Sequence, residues 1–184
     1  MLILASQSPR RRELLAREGI AFRVEVRDTE ELHDPTLPPE ELCARNAAAK
    51  AEAVAAEFPQ DTVIGADTLV FIDNEPLGKP ADREEAAAML ARLQGRRHCV
   101  CTAVALILPG GERRDFAERT EVCFRPLNAA AIARYLDAVH VLDKAGAYAI
   151  QEHGEMIIDH IEGDWDNVVG LPVAHLLSLL PENP

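Results

Sequence analysis

Short apolar runs alternate with amphipathic stretches along the chain, and several of the changes of period fall on a capping or turn residue. Residues 2–5 are uniformly apolar and read as a short buried strand. Ser8 then offers an N-cap and Pro9 suits the first helical position, predicting a helix that stops at Gly19. Residues 22–26 alternate as a strand, and the acidic, proline-containing stretch 28–39 reads as a loop. An Ala-rich helix follows over about 40–57. Residues 62–72 form a strong β segment with Asp67 in its middle, and Asp73-Asn74 starts a turn. Asp82 with Glu85 makes a capping-box-like opening to a helix that closes at Gly95. Residues 98–108 and 113–124 flank Pro109-Gly110-Gly111, a hairpin signal. Asn128 caps a further helix ending near His140; two short strands at 147–151 and 155–161 follow, and a last helix covers 172–180. Helices mixed with strands and at least one hairpin predict an α/β fold with a mixed sheet. No repeat, low-complexity tract or linker interrupts residues 1–184, which read as a single domain.

Composition narrows the function more than the fold. A chain of 184 residues, 48% hydrophobic and 27% charged, can bury a substantial core. Its net charge of −12 argues against nucleic-acid and membrane partners, and eight aromatic residues (one Trp, two Tyr, five Phe) are too few for a base-stacking platform. An anionic ligand must therefore find a local basic pocket. Cys43, Cys99, Cys101 and Cys123 have neither a CxxC pair nor metal-finger spacing, and read as buried free thiols. The apolar start is too short for a signal-peptide core, and the longest apolar run is about half a membrane span. These features predict a cytoplasmic protein.

The few clustered cations then stand out. Ser6, Ser8, Arg10, Arg11 and Arg12 surround the start of the first helix. A helix N-terminus is already positive, so three arginines there are costly unless an anion sits nearby. Asp67 lies in an apolar β run, where a carboxylate is costly unless paired or metal-bound. Gly65 and Ala66 before it are expected to leave room for a ligand. Beside other acids the buried carboxylate reads as a liability, so Asp67→Asn is expected to keep or raise stability. Only three lysines exist, Lys50, Lys79 and Lys144, against sixteen arginines. Glu30, Glu31 and Asp34 could join Asp67 around a hard divalent cation. No HExxH, Walker, GxGxxG or GxSxG motif is present.

Five blocks occur in order: Leu4-Ala5-Ser6-Gln7-Ser8-Pro9-Arg10-Arg11, Gly65-Ala66-Asp67-Thr68, Leu77-Gly78-Lys79-Pro80, Asp143-Lys144-Ala145-Gly146-Ala147-Tyr148-Ala149-Ile150-Gln151 and Val168-Val169-Gly170-Leu171-Pro172. In this the chain resembles the Maf-like nucleoside triphosphate pyrophosphatases, and within them the branch that hydrolyses dTTP and UTP to monophosphate and pyrophosphate. The resemblance implies a mixed sheet flanked by helices, two-lobed with a central cleft and similar to the inosine triphosphatases. It also implies a divalent metal requirement (Mg²⁺, Mn²⁺ or Co²⁺) and a homodimer. By position it makes Asp67 the proton acceptor and, with Glu31, a metal ligand. Arg10, Thr68 and Gln151 match the specificity positions; Ser8, Arg11, Lys50, Lys79 and Lys144 match phosphate-binding ones. Where the family carries a Gly-Ser-Tyr type of loop, this chain has Gly163-Asp164-Trp165-Asp166-Asn167. The expected activity is hydrolysis of dTTP and UTP, extending to CTP or modified pyrimidine nucleotides, with a non-catalytic nucleotide-binding regulator of cell division as the alternative.

Overall fold

The computed structural model describes residues 1–34 and 36–181. Pro35 in the expected 28–39 loop, and the last three residues of the 1–184 span, lie outside the described residues. Seven strands form one mixed sheet in the order β2-β1-β3-β5-β6-β7, with β4 paired to β3. They are β1 (Leu2–Leu4), β2 (Phe22–Val24), β3 (Thr62–Ile72), β4 (Glu75–Leu77), β5 (Arg97–Ile107), β6 (Arg113–Phe124) and β7 (Ile158–Glu162). The helices are α1 (Pro9–Arg17), α2 (Pro39–Ala55), α3 (Arg83–Leu93), α4 (Ala129–Ala138), α5 (Trp165–Val169) and α6 (Val173–Leu179). The described residues divide into two compact units. The first holds Met1–Thr68, Thr102–Glu118 and the segment beginning at Gly170; the second holds Leu69–Cys101 and Arg119–Val169.

In the first unit, β1 lies between β2 and β3 and runs parallel to both, with Leu2 opposite Phe22 and Thr62. Both faces of such a strand are covered, which is why residues 2–5 are apolar without alternation. Ser8 caps α1 as its sequence predicts, its Oγ accepting from the Arg11 N–H at 3.4 Å. Gly19 takes φ +70° just past the helix, where an L side chain would be strained. On α2, Cys43, Ala47, Ala51 and Val54 face inward at helical spacing. That face lies directly on β3: a Cβ on Gly65 would stand 2.2 Å from the Ala47 carbonyl oxygen and 2.7 Å from the Ala51 nitrogen. The expected ligand space at Gly65 is therefore occupied by helix backbone. The missing side chain serves helix–strand packing, a cause that linear sequence does not reveal.

The register also positions chemistry. Leu4 pairs with Ile64, and the Ala5 N–H donates to the Ile64 carbonyl at 2.8 Å. The chain leaving β1 toward Ser6 and Ser8 thus departs beside the part of β3 that leads to Asp67. Loops at the carboxyl ends of parallel strands are where ligands of α/β sheets gather.

In the second unit, Asp73 and Asn74 take φ values of 55° and 63°, and the chain returns as β4, a strand the sequence reading lacked. A two-residue turn with two left-handed positions is the natural hairpin link. Asp82 caps α3 through the Glu85 N–H at 2.8 Å, while the Glu85 carboxylate accepts from the Ala81 N–H at 2.7 Å. Leu90 and Leu93 of α3 join Ile132, Tyr135 and Leu136 of α4 in the unit's apolar core. The expected strand at 147–151 is absent. Ala145–Ala147 is a 3₁₀ turn, and the Tyr135 hydroxyl, rather than a neighbouring strand, accepts from the Ala149 N–H at 3.1 Å. The run from Gly146 to Ile150 is buried throughout, so its apolar character reflects enclosure and not strand pairing. The expected strand at 155–161 begins instead as a 3₁₀ turn, Gly154–Met156, before β7. His98 is buried between Phe124 and Tyr148, its Nε2 2.7 Å from the Tyr148 hydroxyl. Cys43, Cys99 and Cys101 are buried, Cys123 is half-buried, and all four are free thiols. Among the described residues no helix is long and apolar enough to cross a membrane.

Candidate active site

Asp67 sits on β3 after five buried positions and is itself only 7% exposed. Its carboxylate is paired, which answers the cost of burying it. Lys50 Nζ donates to Asp67 Oδ1 at 2.7 Å and to Glu31 Oε1 at 2.7 Å, and Asn46 Nδ2 donates to Asp67 Oδ2 at 3.3 Å. Asn46 and Lys50 are four residues apart on α2 and so share one helix face. The expectation that Asp67→Asn keeps or raises stability is corrected here. The substitution would remove an ion-pair partner from a lysine whose side chain is only 18% exposed.

Beside this group the Arg11 guanidinium is buried at 9% exposure. Its Nε donates to the Gly170 carbonyl at 2.7 Å, Nη1 to Ser6 Oγ at 3.1 Å and Nη2 to Thr68 Oγ1 at 2.9 Å. Burial lowers the Arg11 pKa and the charge of Arg10 adds to this, while the charge of Asp67 opposes it. Guanidinium has five N–H donors, so two remain without a bonded acceptor among the described residues. Thr68 Oγ1 also lies 2.9 Å from Thr102 Oγ1 and 3.4 Å from the Gly170 carbonyl oxygen. Gly170 has φ +125°, and a Cβ there would reach Thr68 Oγ1 at 3.4 Å. The cluster therefore needs glycine at that position.

The helix-start cations behave differently from one another. No acidic residue sits in the first turn of α1. Arg10 Nε is buried and has no acceptor among the described residues, an orphan donor of the kind that an anion satisfies. Arg12 is exposed. Two backbone amides here are already engaged: Ser8 Oγ takes the Arg11 N–H and the Ser8 carbonyl takes that of Arg12. Ser6 Oγ accepts from both the Ser8 N–H at 3.3 Å and Arg11.

The remaining expected residues lie in the second unit. The Gly146 N–H donates to the Gly78 carbonyl at 3.1 Å, bringing the segments that carry Lys144 and Lys79 together. Lys144 is 5% exposed and already paired, with Asp143 at 2.9 Å and Glu152 at 3.4 Å, and it donates to the His140 carbonyl. Lys79 is exposed, and Gln151 is exposed in the turn that Glu152 continues. Trp165, at the head of α5, is 49% exposed.

Among the described residues no group of three His, Cys, Asp or Glu side chains could hold a metal ion. Glu31 and Asp67 nonetheless converge on one positive charge, that of Lys50. Two carboxylates suit a hard divalent cation that keeps waters and takes substrate phosphates as its other ligands. The residues present fit such an ion. Sequence reasoning missed Asn46, Thr102 and the carbonyl of Gly170. An asparagine four residues before Lys50, within an Ala-rich helix, was the one available signal.

The family profile described as Maf-like protein matches residues 1–183. The chain is 60% identical over 179 residues to a protein of Akkermansia muciniphila named dTTP/UTP pyrophosphatase, covering 97% of this chain and 94% of that one. It is 50% identical over 181 residues to a protein of Bacillus velezensis with the same name, covering 98% and 95%. Among solved structures, the Staphylococcus aureus Ham1 protein is similar over 84% of this chain and 89% of that one, at 17% identity and a TM-score of 0.49.

Proposed function

The chain belongs to the Maf-like protein family, and on that premise we propose that it hydrolyses dTTP and UTP to the monophosphate and pyrophosphate. CTP and modified pyrimidine nucleotides are further candidate substrates. The observation that carries the reading is the buried Asp67 carboxylate, paired with Lys50 and flanked by Arg11 with unused donors.

In the reaction a water oxygen attacks the α-phosphorus, the bond from that phosphorus to the bridging β-phosphate oxygen breaks, and pyrophosphate leaves. Asp67 takes the water's proton. A carboxylate has about four lone-pair sites, and Lys50 and Asn46 engage one on each oxygen, leaving others for the water. Lys50 pairs with Asp67 Oδ1 at 2.7 Å and offers positive charge to the phosphate oxygens. Arg11, held rigidly by three neutral acceptors, presents fixed positive charge, which stabilises developing charge without reorganisation. Glu31 and Asp67 would hold a divalent cation, Mg²⁺, Mn²⁺ or Co²⁺, which when bound neutralises the triphosphate charge. We assign Ser8, Lys79 and Lys144 to further phosphate contacts, Lys144 only after exchanging one of its carboxylate partners. Arg10, Thr68 and Gln151 are assigned to base selection, since an amide both donates and accepts. Free thiols and a nucleotide substrate support a cytoplasmic setting.

A panel of nucleoside triphosphates with Mg²⁺, Mn²⁺ or Co²⁺, reading monophosphate, pyrophosphate and inorganic phosphate separately, tests the reading. Equal yields of dTMP and pyrophosphate are expected. Release of inorganic phosphate alone would overturn the cleavage site. Binding of dTTP without turnover would leave the nucleotide-binding regulator.

A further inference from the structure

Asn46 is 4% exposed in the middle of α2, where the alanines around it are better helix formers. It makes three hydrogen bonds. Its Oδ1 accepts from the Leu32 N–H at 2.8 Å, and its Nδ2 donates to the Leu32 carbonyl at 3.2 Å and to Asp67 Oδ2 at 3.3 Å. Both amide N–H groups are thereby used, and rotating the amide by half a turn would set donor against donor at Leu32. The side chain has one orientation. It clips a stretch without helix or strand, 25–34, to α2 at the residue next to Glu31. It also holds Asp67 Oδ2 while Lys50 holds Oδ1, so that the carboxylate plane is set from both sides.

Resting on the catalytic reading above, we infer that Asn46 is a positioning residue. It sets the orientation of the Asp67 carboxylate for attack on the α-phosphorus. Misplacement by about an ångström costs up to ~10²-fold in rate without weakening substrate binding to match. A purely structural asparagine would instead lower activity through the folded fraction, whatever stands at position 67.

A double-mutant cycle separates these cases. Wild type, Asn46→Ala, Asp67→Asn and the double variant are assayed with dTTP at saturating Mg²⁺, with melting curves and hydrogen exchange at the Leu32 amide. Asn46→Ala is expected to lower kcat about 10-fold or more while KM stays within about threefold. In the Asp67→Asn background the same change should alter kcat less than about twofold, because the group it acts through is gone. The Leu32 amide should exchange faster in Asn46→Ala but not in Asp67→Asn. If Asn46→Ala does not fold, Asn46→Ser keeps a small polar side chain without adding a charge beside Asp67, and the same cycle is read. Equal losses in the two backgrounds, or an unchanged kcat, overturn the role of Asn46 and leave the catalytic reading standing. Near-normal turnover by Asp67→Asn, with Asn46 intact, would sink the catalytic reading and the Asn46 role with it.

Discussion

Replacing Asp67 by Asn keeps the shape of the side chain while removing its charge and its proton acceptor. Three consequences can be worked from its neighbours. The general base is lost, which costs about 10²–10⁴-fold in kcat, or roughly 3–5 kcal/mol of barrier. Lys50 keeps Glu31 at 2.7 Å, so its ammonium is not left alone. Breaking a fully buried pair costs about 3–5 kcal/mol. Here the lysine side chain is 18% exposed and retains a second carboxylate, so about 1–2 kcal/mol is the reasonable range. For a chain of this size each kcal/mol moves Tm by about 2–4 °C, giving an expected drop of about 2–8 °C. Substrate affinity should change little, since Arg11 keeps its position through Gly170, Ser6 and Thr68. The assay is kcat and KM for dTTP at saturating metal, beside a thermal melt. A kcat within about threefold of wild type removes Asp67 from the chemistry. A melting temperature lowered by tens of degrees would show instead that the carboxylate is chiefly structural.

Gly65→Ala should drive a methyl into the backbone of α2 and destabilise the fold by about 1–3 kcal/mol or more, read as a lower urea midpoint; an unchanged midpoint refutes the packing argument. Gln151→Glu replaces amide donors with acceptors and should lower dTTP turnover on the order of 10²-fold, whereas equal rates in variant and wild type would remove Gln151 from base selection. Burial holds the His98 pKa down to about 3, below its ordinary value of 6.5. Unfolded chains therefore take up the proton first as pH falls, and stability present above pH 6.5 is lost on the way toward pH 3. Between pH 7 and 5 that loss is about 2 kcal/mol, and His98→Gln should abolish it in urea titrations at the two pH values; an identical pH dependence would refute it.

Local signals were read well wherever a residue acts on its own neighbours in the chain. Ser8, Asp82 and Asn128 each cap the helix expected of them, because a cap bonds an amide three residues away. The all-apolar 2–5 run, the 62–72 strand and the hairpin at Pro109-Gly110-Gly111 follow from burial pattern and turn chemistry. Asp67 and Arg11 were legible because each breaks a local rule, a carboxylate in an apolar strand and a cation at a positive helix end. What those violations are for depended on distant partners. Gly65 looked like ligand space until the backbone of α2 was found against it. The 147–151 run looked like a strand until the Tyr135 hydroxyl was found holding the Ala149 N–H. Lys50 was legible as one of only three lysines, and its choice of both Glu31 and Asp67 needed the parallel register that sets β3 beside β1 and packs α2 over it. Periodicity and capping are encoded over a few residues and survive in the linear chain. Side-chain pairing across tens of residues is decided by packing, where a polar group takes whichever partner the closed core leaves within reach.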